Sequence, residues 1–410
     1  MGSDLFPISS IATRITKGTT PTSIGSSFVE YGINFVKSES ITGARNLDHS
    51  KFSHIDLATH NRLLRSQLEE NDILFSMAGV YLGKTAIVTE KDTPANTNQA
   101  VAIIRIDTSK ANFKYVYYWL SQRYITESVN AACAQSAQPN INLAQIGSIL
   151  LWLPNIETQR SIAATLSSLD DKIELNNRII ANLEAQAQAI FKSWFVDFEP
   201  FQDGEFEESE LGLIPKGWRV ARLGELCESV STTHDFKKRK LIFLNTGDID
   251  QGRFLHSNYS AVDLMPGQAK KSIKKHDILF SEIRPINKHF AYVNFDSEDY
   301  VVSTKLMVIR SKKINSRRLY QYLTRKDVLE ELQVEAEARS GTFPQIRFDN
   351  IQRMLIVIAC KEIEEKYSSI LEPIYELIDQ RIDENKQLVI VRDTLLPKLM
   401  SGEIEVPVER

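Results

Sequence analysis

The sequence predicts an α+β chain: two mixed, mostly β globular domains separated by two long antiparallel helices that form a coiled coil. Three observations carry this. From Glu157 to Phe195 the apolar positions Ile162, Leu166, Leu169, Ile173, Ile180, Leu183, Ala187, Ile190 and Trp194 step alternately by four and three. That is a heptad seam, a helix burying one narrow stripe against a partner helix. A similar seam recurs 209 residues later, as Leu371, Tyr375, Ile378, Ile382, Val389, Leu396 and Leu399. The segments before the two seams also repeat, at an offset of 205.

The first seam has neither Gly nor Pro between Asn155 and Glu199, so nothing interrupts a helix. A helix of that length spans roughly 60 Å. Asn176 occupies a seam position where an apolar residue is expected, and Asn385 occupies the matching one in the second copy. Facing amides would satisfy each other and fix the register of the pair. In the second copy Arg392 interrupts the stripe, and Pro373 predicts a short helix, a break, and then a long helix to about Met400.

The repeat in the globular parts is specific. Asn71-Asp72-Ile73-Leu74-Phe75-Ser76 returns as His276-Asp277-Ile278-Leu279-Phe280-Ser281. Arg105 returns as Arg310, Tyr115 and Tyr117 as Tyr320 and Tyr322, Pro139 and Ile141 as Pro344 and Ile346, and Ile146 as Ile351. The organisation read from this is a domain over 1–155, a long helix over 156–200, a linker over 201–217, a second domain over 218–360 and a second helical region over 361–410. In the first domain, Leu5 to Thr13 predicts a strand or short helix leading to the turn at Lys17 to Pro21. Asp72 to Met77, Thr85 to Val88 and Ala100 to Ile106 predict strands. Phe113 to Val129 has helical spacing, and Asn140 to Leu153 alternates again. The acidic, Gly- and Pro-containing stretch from Glu199 to Trp218 predicts a linker.

Composition is that of an ordinary soluble protein, 42% hydrophobic and 25% charged over 410 residues. No apolar run reaches membrane-spanning length, and Cys133, Cys227 and Cys360 are isolated, so a reduced, cytoplasmic chain with no metal site is expected. The net charge of −4 is unevenly spread. Residues 1–155 carry 13 Lys and Arg against 12 Asp and Glu, and residues 218–360 carry 24 against 17, giving +1 and +7. Residues 156–217 carry 5 against 12, and residues 361–410 carry 7 against 12, giving −7 and −5. Neutral-to-basic domains suit a phosphate-bearing ligand, and acidic helices suit protein partners.

Catalytic chemistry is not visible. Ala78 to Thr85 satisfies a relaxed P-loop pattern, but β-branched Ile87, Val88 and Thr89 follow where a phosphate-binding helix is needed. The preferred reading is a Gly-rich loop between two strands. No methyl-donor motif, nucleophile–base pair or metal-ligand spacing is present, and no cofactor is expected. Asp72 and Asp277, just before strands, fit a capping or turning role better than acid–base work.

The order of phrases resembles one family, the specificity subunits of type I restriction-modification enzymes. The phrases are Asp-Ile-Leu-Phe-Ser in each domain, Glu157 to Arg160 opening the first helix and Phe191 to Phe198 closing it. Leu211 to Trp218 opens the second half, and Leu396 to Gly402 ends the second helix. A Pro-x-Gly-Trp opening is lacking before the first domain. The resemblance implies a non-catalytic subunit whose two target-recognition domains each read one half of a split, asymmetric DNA site. It implies that the helices set the spacing and bind two modification (methyltransferase) subunits, with restriction subunits joining through the complex. A related methylation-only or type II-like system shares these features, and a coiled-coil scaffold with protein-binding ends is the reading from another class. Base edges and phosphates demand donors on loops. The candidates are Lys17, Thr19, Thr20, Ser76, Tyr81, Lys84, Asn98 and Gln99 in the first domain, and Lys237, Lys238, Arg239, Arg284, Lys288, Thr304 and Lys305 in the second. Arg284 could fork onto a guanine, and Asn98 or Gln99 onto an adenine.

Overall fold

The computed structural model describes residues 5–133, 140–339 and 341–407; Pro139 of the repeat lies outside them. The chain divides into two compact units. The first comprises residues 1–176 and 383–410, the second residues 177–382. Each long helix contributes one half to each unit.

The first unit is built on a four-stranded antiparallel sheet in the order 12–17, 101–106, 73–76, 85–87. Its central strands are buried on both faces, and the period of two explains how. Ile73, Phe75, Ala102 and Ile104 face a helical layer that includes Tyr115, Tyr118 and Leu166. Leu74, Val101 and Ile103 face the other way, onto Val36, Leu68 and Ala95 of a second sheet. That sheet runs 53–55, 33–36, 95–97, 67–68, with 33–36 and 95–97 parallel. A short strand at 5–7 pairs with 150–152.

The second unit repeats the plan. Strands 227–230, 306–311, 278–281 and 290–292 form the antiparallel sheet, and 259–261, 240–244, 300–303 and 269–272 the other. Strands 278–281, 290–292 and 306–311 stand 205 residues after their counterparts. In each unit a buried aspartate before the repeated strand accepts a forked pair of hydrogen bonds from an arginine on the neighbouring strand. Arg105 reaches Asp72 at 2.8 and 2.9 Å, and Arg310 reaches Asp277 at 2.7 Å twice. The same carboxylates accept the backbone N–H of Glu69 and Lys274, so they close the turn as well as neutralise the arginine. Asn71 and His276, beside them, share a left-handed backbone with φ of 71° and 74°.

The long helices run Ile156–Phe195 and Lys361–Met400, each 40 residues. Their boundaries repeat at 205, like the domains; the offset of 209 describes the phase of the seam. Asn155 caps the first, accepting from Thr158 N–H at 2.9 Å, and Gly402 closes the second with φ of 72°. The expected break at Pro373 is absent, and the second helix is continuous. Pro373 and Ser369, whose carbonyl loses its partner, are both exposed, so water can satisfy that carbonyl. Buried Tyr367, Leu371, Tyr375 and Ile378 hold the helix on either side of the proline.

Within each unit the helix halves are antiparallel. In the first, Ile162 and Leu166 share a core with Leu396, Leu399 and Met400, and further along Asn176 meets Asn385. In the second, Phe195 packs edge-on against Tyr367 at 4.7 Å between ring centroids. Burial is wider than a strict seam, taking in Ala163, Asp170, Phe191 and Phe195. A straight helix drifts against a heptad pattern, which brings these neighbouring rows into contact. The stretch read as a linker is folded: Phe206–Ser209 and Gly212–Pro215 form a hairpin, Phe198 meets Phe206 edge-on, and Trp218 meets Phe198 and Phe201 edge-on in the second unit. Among the described residues no helix is long and apolar enough to cross a membrane.

Candidate nucleic-acid interface

Strand register decides where the candidate residues lie. In the first unit Lys17 pairs with Ala102, Ser76 with Val101, and Phe75 with Thr85. The turn after 12–17, the turn before 101–106 and the connector 77–84 therefore emerge from one end of the sheet. Backbone hydrogen bonds tie them together: Gly18 N–H to Val101 O at 3.2 Å, Thr19 N–H to Thr97 O at 3.0 Å, and Met77 N–H to Ala100 O at 2.8 Å. Gly18 is required there, since a Cβ would lie 2.0 Å from the Thr97 carbonyl oxygen.

All eight first-unit candidates belong to this end of the sheet, but they differ in what they offer. Lys17 and Gln99 are exposed, Thr19 and Thr20 half-buried, and the Thr20 hydroxyl meets the Gln99 side-chain oxygen. Arg65 donates to Thr19 Oγ1 at 3.0 Å, completing a shallow depression lined by Lys17, Thr19, Thr20, Ser23, Arg65 and Gln99. Arg65 escaped the sequence reading because it reaches this end from the short turn Leu64–Ser66 before strand 67–68, outside the segments matched by the repeat. Lys84 lies over the Tyr81 ring, 5.1 Å from its centroid. Asn98 Oδ1 accepts from Ala100 N–H at 3.1 Å and so shapes its turn. Ser76 is a correction: it is fully buried, with its hydroxyl turned into the protein, because the strand it ends is covered on both faces.

The second unit gathers its candidates at the corresponding end. Val230 pairs with Val308, and Ser281 with Leu306, so residues 231–239, 282–289 and 304–305 emerge together. Arg284 and Lys288 are exposed on the tip of the 282–289 connector, both with left-handed backbone, φ of 44° and 59°. Arg239 is exposed as well. Lys237 and Lys238 are exposed but ion-paired, with Asp235 at 2.9 Å and Asp299 at 2.5 Å, and these bonds raise both ammonium pKa values. Lys305 stands 4.0 Å from Glu282, and the Thr304 carbonyl accepts from buried Lys271 at 3.0 Å. This end is richer in cations than the first and contains more of its own counter-charges.

In each unit, polar side chains tie the globular part to the long helices. In the first unit Asp170, 8% exposed, accepts from Arg392 Nη1 at 2.8 Å and from the Tyr118 hydroxyl at 2.6 Å. Burial opposes charge on Arg392, but Asp170 and Asp393 more than offset it and raise its pKa. Arg45 reaches Asp171 at 2.5 Å, and Asn46 reaches Glu174 at 2.6 Å. The second unit uses other residues: Arg317 with Asp379 at 2.6 Å, buried Arg318 with Glu364, and Gln321 with both Tyr367 and the Ala187 carbonyl. Arg392, which interrupts the apolar stripe, is thus a seam residue with a buried partner. Asn176 is fully buried, and its Nδ2 donates to Asn385 Oδ1 at 2.9 Å and to Glu384 Oε2 at 3.0 Å.

The family model for the type I restriction modification DNA specificity domain matches residues 11–185 and again residues 215–388. The type I restriction enzyme HindI specificity subunit of Haemophilus influenzae is 40% identical over 174 residues, 42% of this chain and 37% of that protein. The MjaIX specificity subunit of Methanocaldococcus jannaschii is 29% identical over 325 residues, 76% of this chain and 74% of its own length. The crystal structure of a type I restriction-modification S subunit from M. genitalium shares the fold, with a TM-score of 0.55 and 16% identity over 97% of this chain and 96% of that one. Two matches to one domain model, falling on two units of one plan and together spanning most of the sequence, show that the chain belongs to the type I restriction modification DNA specificity family.

Proposed function

We propose that the chain is the DNA sequence-specificity subunit of a type I restriction-modification enzyme, reading double-stranded DNA without catalysing a reaction itself. Residues 1–155 and 218–360 act as target-recognition domains, each reading one half of a bipartite site. The helices over 156–200 and 361–410 set the gap and carry two modification subunits, through which restriction subunits join. The halves are dissimilar, because the loops at the two reading ends share almost no residues. Asn176 and Asn385 hold the helix register. The observation that carries this reading is the gathering of polar and cationic loops at the same end of two equivalent sheets. Such an end can offer donors to phosphates and base edges together.

The test is binding by the complex with its modification subunits to duplexes containing the site, identified by mapping methylated adenines in the host. Affinity for the cognate duplex should exceed that for scrambled duplexes by at least about a thousandfold. It should also fall linearly in log–log form with salt. Equal affinity for all duplexes refutes the reading, and salt-insensitive binding points to the scaffold class.

A further inference from the structure

The connector 77–84 joins strands 73–76 and 85–87 at the edge of the four-stranded sheet, and its tip is apolar. Val80 is 88% exposed in the middle of the turn Gly79–Tyr81. The turn is firmly held. Leu82 N–H bonds to Gly79 O, Gly83 N–H to Ser76 O, and Ser76 N–H to Lys84 O, at 2.9 to 3.1 Å. Gly79 and Gly83 have φ of 71° and 83°, conformations that a side chain would strain. A rigid turn thus presents a β-branched side chain with one stiff torsion to solvent. Lys84, at the end of the same connector, lies over the Tyr81 ring.

The second unit repeats the arrangement with different residues. Between 278–281 and 290–292, the turn Pro285–Asn287 holds Ile286 at its centre, 44% exposed, flanked by Arg284 and Lys288. Isolated bridges pin both connectors at equivalent places, Ala78 to Asn140 and Ile283 to Gln345, each residue 205 after its counterpart. Folding does not require an exposed apolar side chain at either tip, yet each connector carries one together with at least one cationic residue.

We propose that Val80 is a specificity-determining residue that reads the C5 methyl group of a thymine in the major groove. The inference rests on the DNA-reading function proposed above. The thymine methyl is the one apolar feature of the major groove, and an exposed loop tip can be brought against it. Lys84 on the same connector supplies a phosphate contact, and Val80 supplies the apolar one. A valine side chain is too short to wedge deeply between bases but long enough to cover a methyl group.

The test replaces each thymine of the first unit's half-site singly by deoxyuridine, which removes only the methyl group. Binding is measured with the full complex. One replacement should weaken wild-type binding about fourfold, the worth of one buried methyl group. Val80→Ser should bind the unmodified duplex correspondingly less well and no longer distinguish thymine from uracil at that position. Its melting temperature should match wild type, since Val80 touches no core. Uracil tolerated at every position, a half-site lacking thymine, or a Val80→Ser variant that keeps the discrimination overturns the proposal while DNA reading stands. Loss of all preference among duplexes by the wild-type complex marks failure of the underlying function instead.

Discussion

Asp170→Ala tests how the first reading domain is fixed to its helices. The carboxylate is 8% exposed and accepts from Arg392 of the second helix and Tyr118 of the domain's own helix, so one group ties three elements. Removing one partner of a buried pair costs about 3–5 kcal/mol, because the other charge remains buried. Arg392 is 23% exposed and keeps a 2.8 Å contact to Asp393, which argues for the low end, about 3 kcal/mol. For a unit of this size that lowers the melting temperature by roughly 6–12 °C. The double variant Asp170→Ala, Arg392→Leu removes the charge pair whole and should recover most of the loss. The assay is differential scanning calorimetry of the full chain, following the transition of the first unit. A shift below about 2 °C for Asp170→Ala, or a double variant less stable than the single, refutes the reasoning.

Arg105→Leu leaves fully buried Asp72 without its fork and should destabilise the first unit by about 3–5 kcal/mol in urea titration, with Arg310→Leu acting likewise in the second. Asn176→Leu removes an amide whose own carbonyl oxygen is buried without a partner; it should change stability by about 1 kcal/mol or less while relaxing the spacing tolerated between half-sites, read by methylation of spacer-length variants. Exchanging residues 218–355 for those of another family member should change one half-site of the methylated sequence, and a change in both halves argues against modular reading. Burial pushes the Cys227 thiol up to about 12, whereas Cys360 is exposed. At pH 9 iodoacetamide should label Cys360 and spare Cys227 until urea unfolds the chain. The raised thiol stabilises fully below the ordinary thiol range, and that contribution is lost as pH climbs toward about 12.

The sequence by itself determined the plan. Heptad spacing without Gly or Pro specifies a long helix, because periodicity and unbroken backbone hydrogen bonding are local properties of the chain. The 205-residue repeat marked strands 73–76 and 101–106 and their counterparts, since apolar runs ending in the same arginine encode one buried strand pair twice. Polar and basic residues beside the expected strand ends supplied the loop candidates, because such positions are legible in one dimension. Other features only the tertiary structure decided. Strand order puts turns from residues 17, 80 and 98 at one sheet end, a fact about register across distant segments. Burial on both faces withdrew Ser76, which looks like any loop-edge serine in sequence. Packing by Tyr367, Leu371 and Tyr375 carried the second helix through Pro373 against its local propensity. Arg392 read as a break in the stripe until Asp170 stood opposite it, because the stability of a buried charge depends on a partner that sequence distance conceals. Arg65 and Val80 came into view only when the sheets placed one beside Thr19 and left the other with nothing to pack against.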